Sequence, residues 1–204
     1  MHWKTLTYFG DSMLLIPTAV IIALILPWKS DNRHTVFYWI VAFGLAGLTV
    51  SISKILFLGF GIGSARFNFT GFSGHSAMSA TLWPVMLWLI SGRWSAMWRI
   101  AAIGVGYLIP LMVGFSRLVI HAHSKSEVVT GLLLGFTLST AFLISQRRTS
   151  LKGFSWPQVG AALLVPFVLM SHGRVATTQQ FLERFAASLA GMEKPYTRAD
   201  LFRQ

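Results

Sequence analysis

The sequence contains no cysteine, and only six of its 204 residues are acidic. The absence of cysteine excludes disulfides, thiolate catalysis and cysteine-ligated metals. The few carboxylates do not cluster, so no oxygen cage of the kind that holds magnesium is visible. Charged residues make up 11% of the chain, whereas soluble domains have about a quarter. No separate soluble domain fits between the apolar stretches.

Apolar residues are abundant instead, at 54% of the chain. Runs long enough to cross a bilayer recur, and no alternating pattern of the kind that barrel strands need is present. The sequence therefore predicts an all-α, polytopic membrane helical bundle of about six transmembrane helices. The predicted spans are about 12–28, 35–52 with a continuation to 58, 74–90, 97–115, 126–144 and 154–171.

We interpret residues 1–204 as a single domain whose last part, 172–204, is a polar tail. The tail contains an amphipathic stretch at about 181–189, which could lie on the membrane or mediate self-association. The first apolar run lacks a small-residue cleavage site, so it is predicted to be a span and not a cleaved signal peptide. We find no internal repeat.

The net charge of +11 is scattered over short loops, which indicates membrane topology and anionic headgroups rather than nucleic-acid binding. Basic residues concentrate in the loops after the first, third and fifth spans. Those seven residues are Lys29, Arg33, Arg93, Arg99, Arg147, Arg148 and Lys152. The positive-inside rule places this face in the cytoplasm and the opposite face outside. The tail adds five basic residues to the outer face if the sixth run crosses.

Two polar stretches, 70–75 and 114–127, lie at the edges of predicted spans on that outer face. In the second, His123 and Glu127 are four residues apart, so on a helix they share a face and can form a hydrogen bond. A carboxylate that accepts the proton of one ring nitrogen fixes the tautomer and leaves the other nitrogen free to act. Taken alone, the pair is equally consistent with a satisfied polar contact at a helix end.

Arg117 adds a planar guanidinium that suits phosphate oxygens, although a lone arginine at a span end often contacts lipid headgroups. In the first stretch, Ser73-Gly74-His75 opens a predicted membrane helix. Free N–H groups and the positive dipole end favour an anion there. The alternative is a serine helix cap with an incidental histidine.

Together the two stretches resemble two signatures of the type 2 phosphatidic acid phosphatase (PAP2) superfamily. The order Ser-Arg117, five residues, His123, three residues, Glu127 is similar to the third signature, in which the last position is usually aspartate. Residues 72–75 are similar to the second signature, Pro-Ser-Gly-His, with Phe72 in place of the proline. One helical hairpin separates the two signatures, as in the family.

The first family signature, Lys, six residues, Arg-Pro, is absent. Lys54 has the right place in the order, but Gly61 and Ile62 occupy the positions of the arginine and proline. Arg66 could supply the missing guanidinium from a different loop position. Glu127 keeps the charge of the usual aspartate and adds one methylene, so an orienting role is retained.

The resemblance implies a role for each matching residue. His123 is expected to attack phosphorus and become a phosphohistidine, Glu127 to orient it, and His75 to protonate the leaving oxygen and later help to activate water. His121 misses the signature spacing by two residues and is assigned a headgroup or indirect contact. The residues expected to hold the phosphate are Arg117, Lys54, Ser73 and Gly74, together with Arg66 as the source of the missing guanidinium. No metal ion or other cofactor is implied.

The resemblance further implies a lipid phosphatase in a bacterial inner membrane with its site facing the periplasm or exterior. Its substrate and partner would be a membrane lipid phosphate within the bilayer, and no nucleic acid is expected. Undecaprenyl diphosphate is the leading substrate, followed by phosphatidic acid, phosphatidylglycerophosphate and lipid A. A lipid phosphotransferase and a non-catalytic lipid-binding membrane protein are the alternatives. The oligomeric state stays open.

Overall fold

The computed structural model describes residues 3–155, 158, 168 and 178–203, and the regular elements within these residues are all helical. The predicted all-α membrane bundle is thereby confirmed. In chain order the elements are α1 (Trp3–Thr7), a 3-10 turn (Tyr8–Gly10), α2 (Ser12–Lys29), α3 (Thr35–Phe60), α4 (Gly74–Ile90), α5 (Ala96–Val119), α6 (Lys125–Ser145), α7 (Thr178–Leu189) and α8 (Arg198–Leu201).

Four helices of the described part, α2, α3, α5 and α6, are long and apolar enough to cross a membrane. The first five predicted spans coincide with α2 to α6. The second is longer than its core prediction, because α3 continues past Lys54 to Phe60 and ends at Gly61 in the left-handed conformation. The predicted sixth span, 154–171, lies largely outside the described residues.

Helix α4 forms the centre of the bundle, and most of its residues are buried. Small residues on the flanking helices allow close packing, as is usual between membrane helices. A Cβ added at Gly106 of α5 would meet the backbone of Pro84 at 2.7 Å, and one at Gly131 of α6 would meet the carbonyl oxygen of Ser73 at 2.8 Å. The backbone of α4 therefore lies directly against both neighbours.

The connections between the helices lie at two opposite ends of the bundle. The loops 30–34, 91–95 and 146–152 meet at one end, which we call the basic end, where Lys152 N donates to Lys29 O at 2.8 Å. It carries the seven basic residues that the sequence assigned to one face. The connections 61–73 and 120–124 meet at the other end, which we call the cavity end.

Residues 178–203, hereafter the C-terminal segment, fold back onto the cavity end. The amphipathic stretch predicted at 181–189 forms the helix Thr178–Leu189, and its buried Leu182 and Ala186 pack with Phe57 and Leu58 of α3. Leu201 of α8 joins the same cluster. The C-terminal segment is thus packed against the bundle and lines the cavity that opens at this end.

Candidate active site

The two motif stretches meet at the start of α4 and α6. Ser73 N donates to the carbonyl oxygen of Glu127 at 3.0 Å, which ties the two helix N-termini together. Ser124 and Glu127 form a capping box, so Glu127 both begins α6 and projects toward the meeting point. The hydrogen bond between the two helix starts brings together residues that lie about fifty positions apart in the sequence.

A cavity of about 650 Å³ opens at this point. Five residues predicted for the site line it: Lys54, Gly74, His75, Arg117 and His123. Its apolar lining comes from Leu15 and Ile16 of α2, Val50 of α3 and Met78 of α4. The cavity thus joins a polar, cationic part to an apolar part that faces the helices.

Two residues predicted to bind phosphate lie elsewhere. Ser73 is fully buried, and its Oγ accepts from the hydroxyl of Ser76 at 3.0 Å and caps α4, so it shapes the helix start instead of lining the cavity. Arg66 is exposed outside the cavity, with its guanidinium 5.5 Å from the centre of the Phe67 ring. The loop 61–73 turns Arg66 to solvent because it closes on itself through the Ser64–Phe69 bridge.

His123 and Glu127 form the pair that their four-residue spacing predicts. The distance between His123 Nδ1 and Glu127 Oε2 is 2.8 Å, and Glu127 is fully buried. When the ring is neutral, the tautomer that satisfies this bond carries hydrogen on Nδ1 and leaves a lone pair on Nε2. The pair therefore presents an imidazole nitrogen that can act as a nucleophile.

Electrostatics keep that imidazole neutral near pH 7. Burial lowers the pKa of His123 below its ordinary value, and the hydrogen bond and charge of Glu127 oppose this shift without cancelling it. The positive charges of Lys54 and Arg117 lower the pKa of His123 further. A neutral ring is the form that a nucleophilic role requires.

The cations of the cavity have unequal hydrogen-bond partners. Lys54 Nζ donates to Gln179 Oε1 at 2.6 Å. Arg117 Nε is buried and has no hydrogen-bond partner among the described residues. A buried N–H of a guanidinium without an acceptor is unfavourable, so the position favours a ligand that brings oxygen atoms. Arg117 and Lys54 thus place two cationic side chains in the cavity that His123 also lines, and this arrangement suits an anion.

The residues that the sequence did not identify come mostly from the C-terminal segment. Arg198 Nη2 lies 2.8 Å from both carboxylate oxygens of Glu127, and Gln179 contacts Lys54. Thr70 donates to Glu127 through its backbone N–H and its hydroxyl. Thr197-x-x-Asp200 is a readable capping-box signal for the short helix α8. That signal marks a helix start and carries no information about which site the helix reaches.

Within the described residues, no group of three histidine, aspartate or glutamate side chains could hold a metal ion. The polar lining of the cavity includes the cationic side chains of Lys54, Arg117 and Arg198, which suit phosphate oxygens. The chemistry available to these residues is nucleophilic attack by an imidazole, proton transfer by a second histidine and stabilisation of negative charge.

Comparison with protein families places the same region in a known group. Residues 62–150 match the family model of the PAP2 superfamily. This range contains both motif stretches and the helical hairpin between them. It leaves out Lys54 and the whole C-terminal segment, both of which line the cavity.

Two similar proteins extend the comparison. An uncharacterized 22.5 kDa protein in the cps region of Klebsiella pneumoniae is 43% identical over 207 residues, which cover 100% of this chain and 99% of that protein. In fold, the chain is similar to the crystal structure of the first transmembrane PAP2 type phosphatidylglycerolphosphate phosphatase from Bacillus subtilis. The TM-score is 0.56 at 20% identity, over 72% of this chain and 75% of the other.

Proposed function

The chain belongs to the PAP2 superfamily, and on that premise we propose that it is an integral-membrane lipid phosphatase that acts through a phosphohistidine. One observation carries the proposal: Arg117, whose buried Nε has no hydrogen-bond partner in the part of the chain that the structure describes, lines the same cavity as His123, which Glu127 contacts. An anion site beside an oriented imidazole is the arrangement that phosphoryl transfer to nitrogen needs.

In the proposed first step, His123 Nε2 forms a bond to phosphorus while the bond from phosphorus to the lipid oxygen breaks. His75 gives its proton to that leaving oxygen. Arg117, Lys54 and the backbone N–H of Gly74 stabilise the negative charge on the remaining phosphate oxygens. Glu127 stabilises the positive charge that develops on the His123 ring.

In the second step, water attacks the phosphorus of the phosphohistidine and the phosphorus–nitrogen bond breaks. His75 accepts the proton of the water, which returns both histidines to their starting states and releases inorganic phosphate. Every proton and electron pair in this cycle is supplied by His123, His75, the lipid and water. The residues therefore provide metal-independent hydrolysis.

The shape of the cavity supports a lipid substrate. Its polar part can hold a phosphate, and the apolar side chains of Leu15, Ile16, Val50 and Met78 can contact a hydrocarbon chain. Undecaprenyl diphosphate is our leading candidate, with phosphatidic acid, phosphatidylglycerophosphate and lipid A next. A site at the end opposite the basic loops is, by the positive-inside rule, on the outer face of a bacterial inner membrane.

The decisive experiment measures phosphate release by the purified protein in detergent, across these four lipid phosphates and with and without a chelator. His123→Ala is expected to reduce turnover at least about 1,000-fold, since the nucleophile is lost. His121→Asn is the matched control, because asparagine tolerates the left-handed backbone at His121 (φ 55°) and that side chain is exposed. Undiminished turnover by His123→Ala rejects the mechanism, and turnover that vanishes with the chelator rejects metal independence.

Orientation has its own test. Reporter fusions in the loops at Arg93 and Arg148 are expected to report the cytoplasm. A periplasmic signal from both would reverse the proposed orientation and place the cavity on the cytoplasmic face.

A further inference from the structure

Arg198 belongs neither to the family signatures nor to the range that matches the family model. It lies beyond residue 150, where the match ends, yet its guanidinium reaches the centre of the site. Nη2 is 2.8 Å from each oxygen of Glu127, and Nη1 donates to the side-chain oxygen of Asn68 at 2.7 Å. Arg198 therefore bridges the loop 61–73 and the first turn of α6.

The C-terminal segment holds Arg198 in this position by independent contacts. Tyr196 N donates to the carbonyl oxygen of Leu58 at 2.8 Å, which attaches the segment to the end of α3. Asp200 accepts from the N–H and hydroxyl of Thr197 and so fixes the start of α8. Leu201 is buried against Phe57. Because these contacts flank Arg198 on both sides, its side chain is aimed at Glu127 by the backbone.

Glu127 needs such a partner. It is a fully buried carboxylate, and a buried charge is unfavourable unless it is paired. Its other donors are Thr70, Ser124 and the ring of His123. These are neutral as long as His123 is neutral, so within the described residues Arg198 forms the permanent ion pair of Glu127.

We infer that Arg198 is a positioning residue for the proposed reaction: by sharing the Glu127 carboxylate with His123, it keeps Glu127 ionised and oriented while His123 stays neutral and ready to attack. The inference rests on the proposed function and deepens it. It also makes the C-terminal segment a required part of the site, so that the segment supplies a guanidinium at a site whose first family signature lacks one.

The charges around His123 determine whether loss of Arg198 raises or lowers the pKa of His123. The groups that face it are Lys54, His75, Arg117, Glu127 and, through Glu127, Arg198. Removing the positive charge of Arg198 leaves Glu127 free to attract a proton on His123 more strongly. The pKa of His123 then rises, and the neutral form is lost at a higher pH than in the wild type. The acid limb of the kcat profile therefore moves to higher pH.

The test compares Arg198→Gln with Arg203→Gln, a control in the same segment. The Arg203 side chain is exposed, and its ion pair with Asp200 is long, at 3.9 Å. Arg198→Gln is expected to lower kcat about 10- to 100-fold, as loss of an orienting partner does elsewhere, with KM little changed. Its acid limb is expected at higher pH. Arg203→Gln is expected to have the wild-type kcat and the wild-type acid limb in its pH profile.

A second measurement separates this inference from the proposed function. The protein is labelled with ¹³C on histidine, and the pKa of the His123 ring is measured by NMR titration. The His123 signal is identified as the one that is missing from His123→Gln. A higher pKa of His123 in Arg198→Gln supports the coupling even if no lipid phosphate is hydrolysed, in which case only the proposed function fails. Two outcomes overturn the inference and reduce Arg198 to a docking contact. One is a wild-type kcat in Arg198→Gln. The other is a lower kcat with an unchanged acid limb of the pH profile and an unchanged pKa of His123.

Arg198→Lys covers the case in which Arg198→Gln does not fold. Lysine keeps the charge but not the planar fork, so this variant is expected to retain the wild-type acid limb and to lose kcat by a smaller factor than 10-fold. An Arg198→Lys protein with wild-type kcat and wild-type thermal unfolding, beside an unfolded Arg198→Gln, would assign the contact to folding and overturn the inference.

Discussion

The two ends of the bundle bury polar groups in different ways. At the cavity end, a charged carboxylate, Glu127, lies beside Arg198 and close to the cavity lined by Arg117, whose Nε has no hydrogen-bond partner within the described ranges. At the basic end, Gln146 is just as deeply buried but neutral. Its Oε1 accepts from the hydroxyls of Thr35 and Thr149 at 2.7 and 2.9 Å.

The cavity end therefore has the features of a ligand-binding site, whereas the Gln146 network has those of a structural contact between helices. A neutral network with every donor matched to an acceptor holds helices together and offers nothing to a ligand. An arrangement of charges with a donor left over is less stable by itself and becomes satisfied when an anion enters. The same helices, α3 and α6, contribute to both ends, so substitutions along them separate chemistry from stability.

The largest effect is expected from Glu127→Gln at the cavity end. The amide places an NH₂ group among donors that all need an acceptor, so the His123 tautomer with a free Nε2 is no longer favoured. We expect formation of the phosphohistidine to slow about 100- to 10,000-fold. Rapid-quench measurement of ³²P transfer to the protein reports this step directly.

Glu127→Asp is the matched control. It keeps the carboxylate and restores the residue usual in the family signature, so it is expected to lose far less activity than Glu127→Gln. Equal rates in Glu127→Gln and the wild type would remove Glu127 from the mechanism. Circular dichroism in detergent checks that both variants keep the helical fold.

A smaller loss is expected from Arg117→Lys, which keeps the charge and removes the Nε donor together with the planar fork. We expect kcat/KM for lipid phosphate to fall about 100- to 1,000-fold, the size of loss that removing one charge-stabilising donor causes. Arg99→Lys makes the same chemical change at the basic end, where the guanidinium lies over the Trp88 ring, and is expected to remain within about twofold of wild type. Equal losses in both variants would show that the two ends do not differ in this respect.

At the basic end the expected effect is on stability alone. Gln146→Ala leaves the hydroxyls of Thr35 and Thr149 buried without their acceptor, which costs about 1–3 kcal/mol of unfolding free energy. We expect a lower thermal unfolding midpoint in detergent with unchanged kcat per folded molecule. Gln180→Ala, an exposed glutamine on α7, is the control and should unfold like the wild type. A drop in kcat for Gln146→Ala without destabilisation would mean that the basic end takes part in the chemistry.

The parts of this architecture that sequence patterns predict are the local ones. Five helices follow from apolar runs, and the His123–Glu127 contact follows from a four-residue spacing at a helix start. Arg198 could not be found in this way, because it meets Glu127 from 71 positions away through the fold of the C-terminal segment. Arg66 is predicted for the site from its proximity to the motifs in sequence, and the structure places its side chain outside the cavity, because tertiary packing decides which arginine faces inward.

The smallest effect is therefore expected from Arg66→Gln. The side chain is exposed on the Phe67 ring and outside the cavity, so its loss removes a weak cation–π contact and a screened surface charge. We expect kcat and KM for lipid phosphate in detergent to stay within about twofold of wild type. A KM that rises tenfold or more would mean that the loop 61–73 brings Arg66 to the phosphate when substrate binds. The missing guanidinium of the first family signature would then come from this loop.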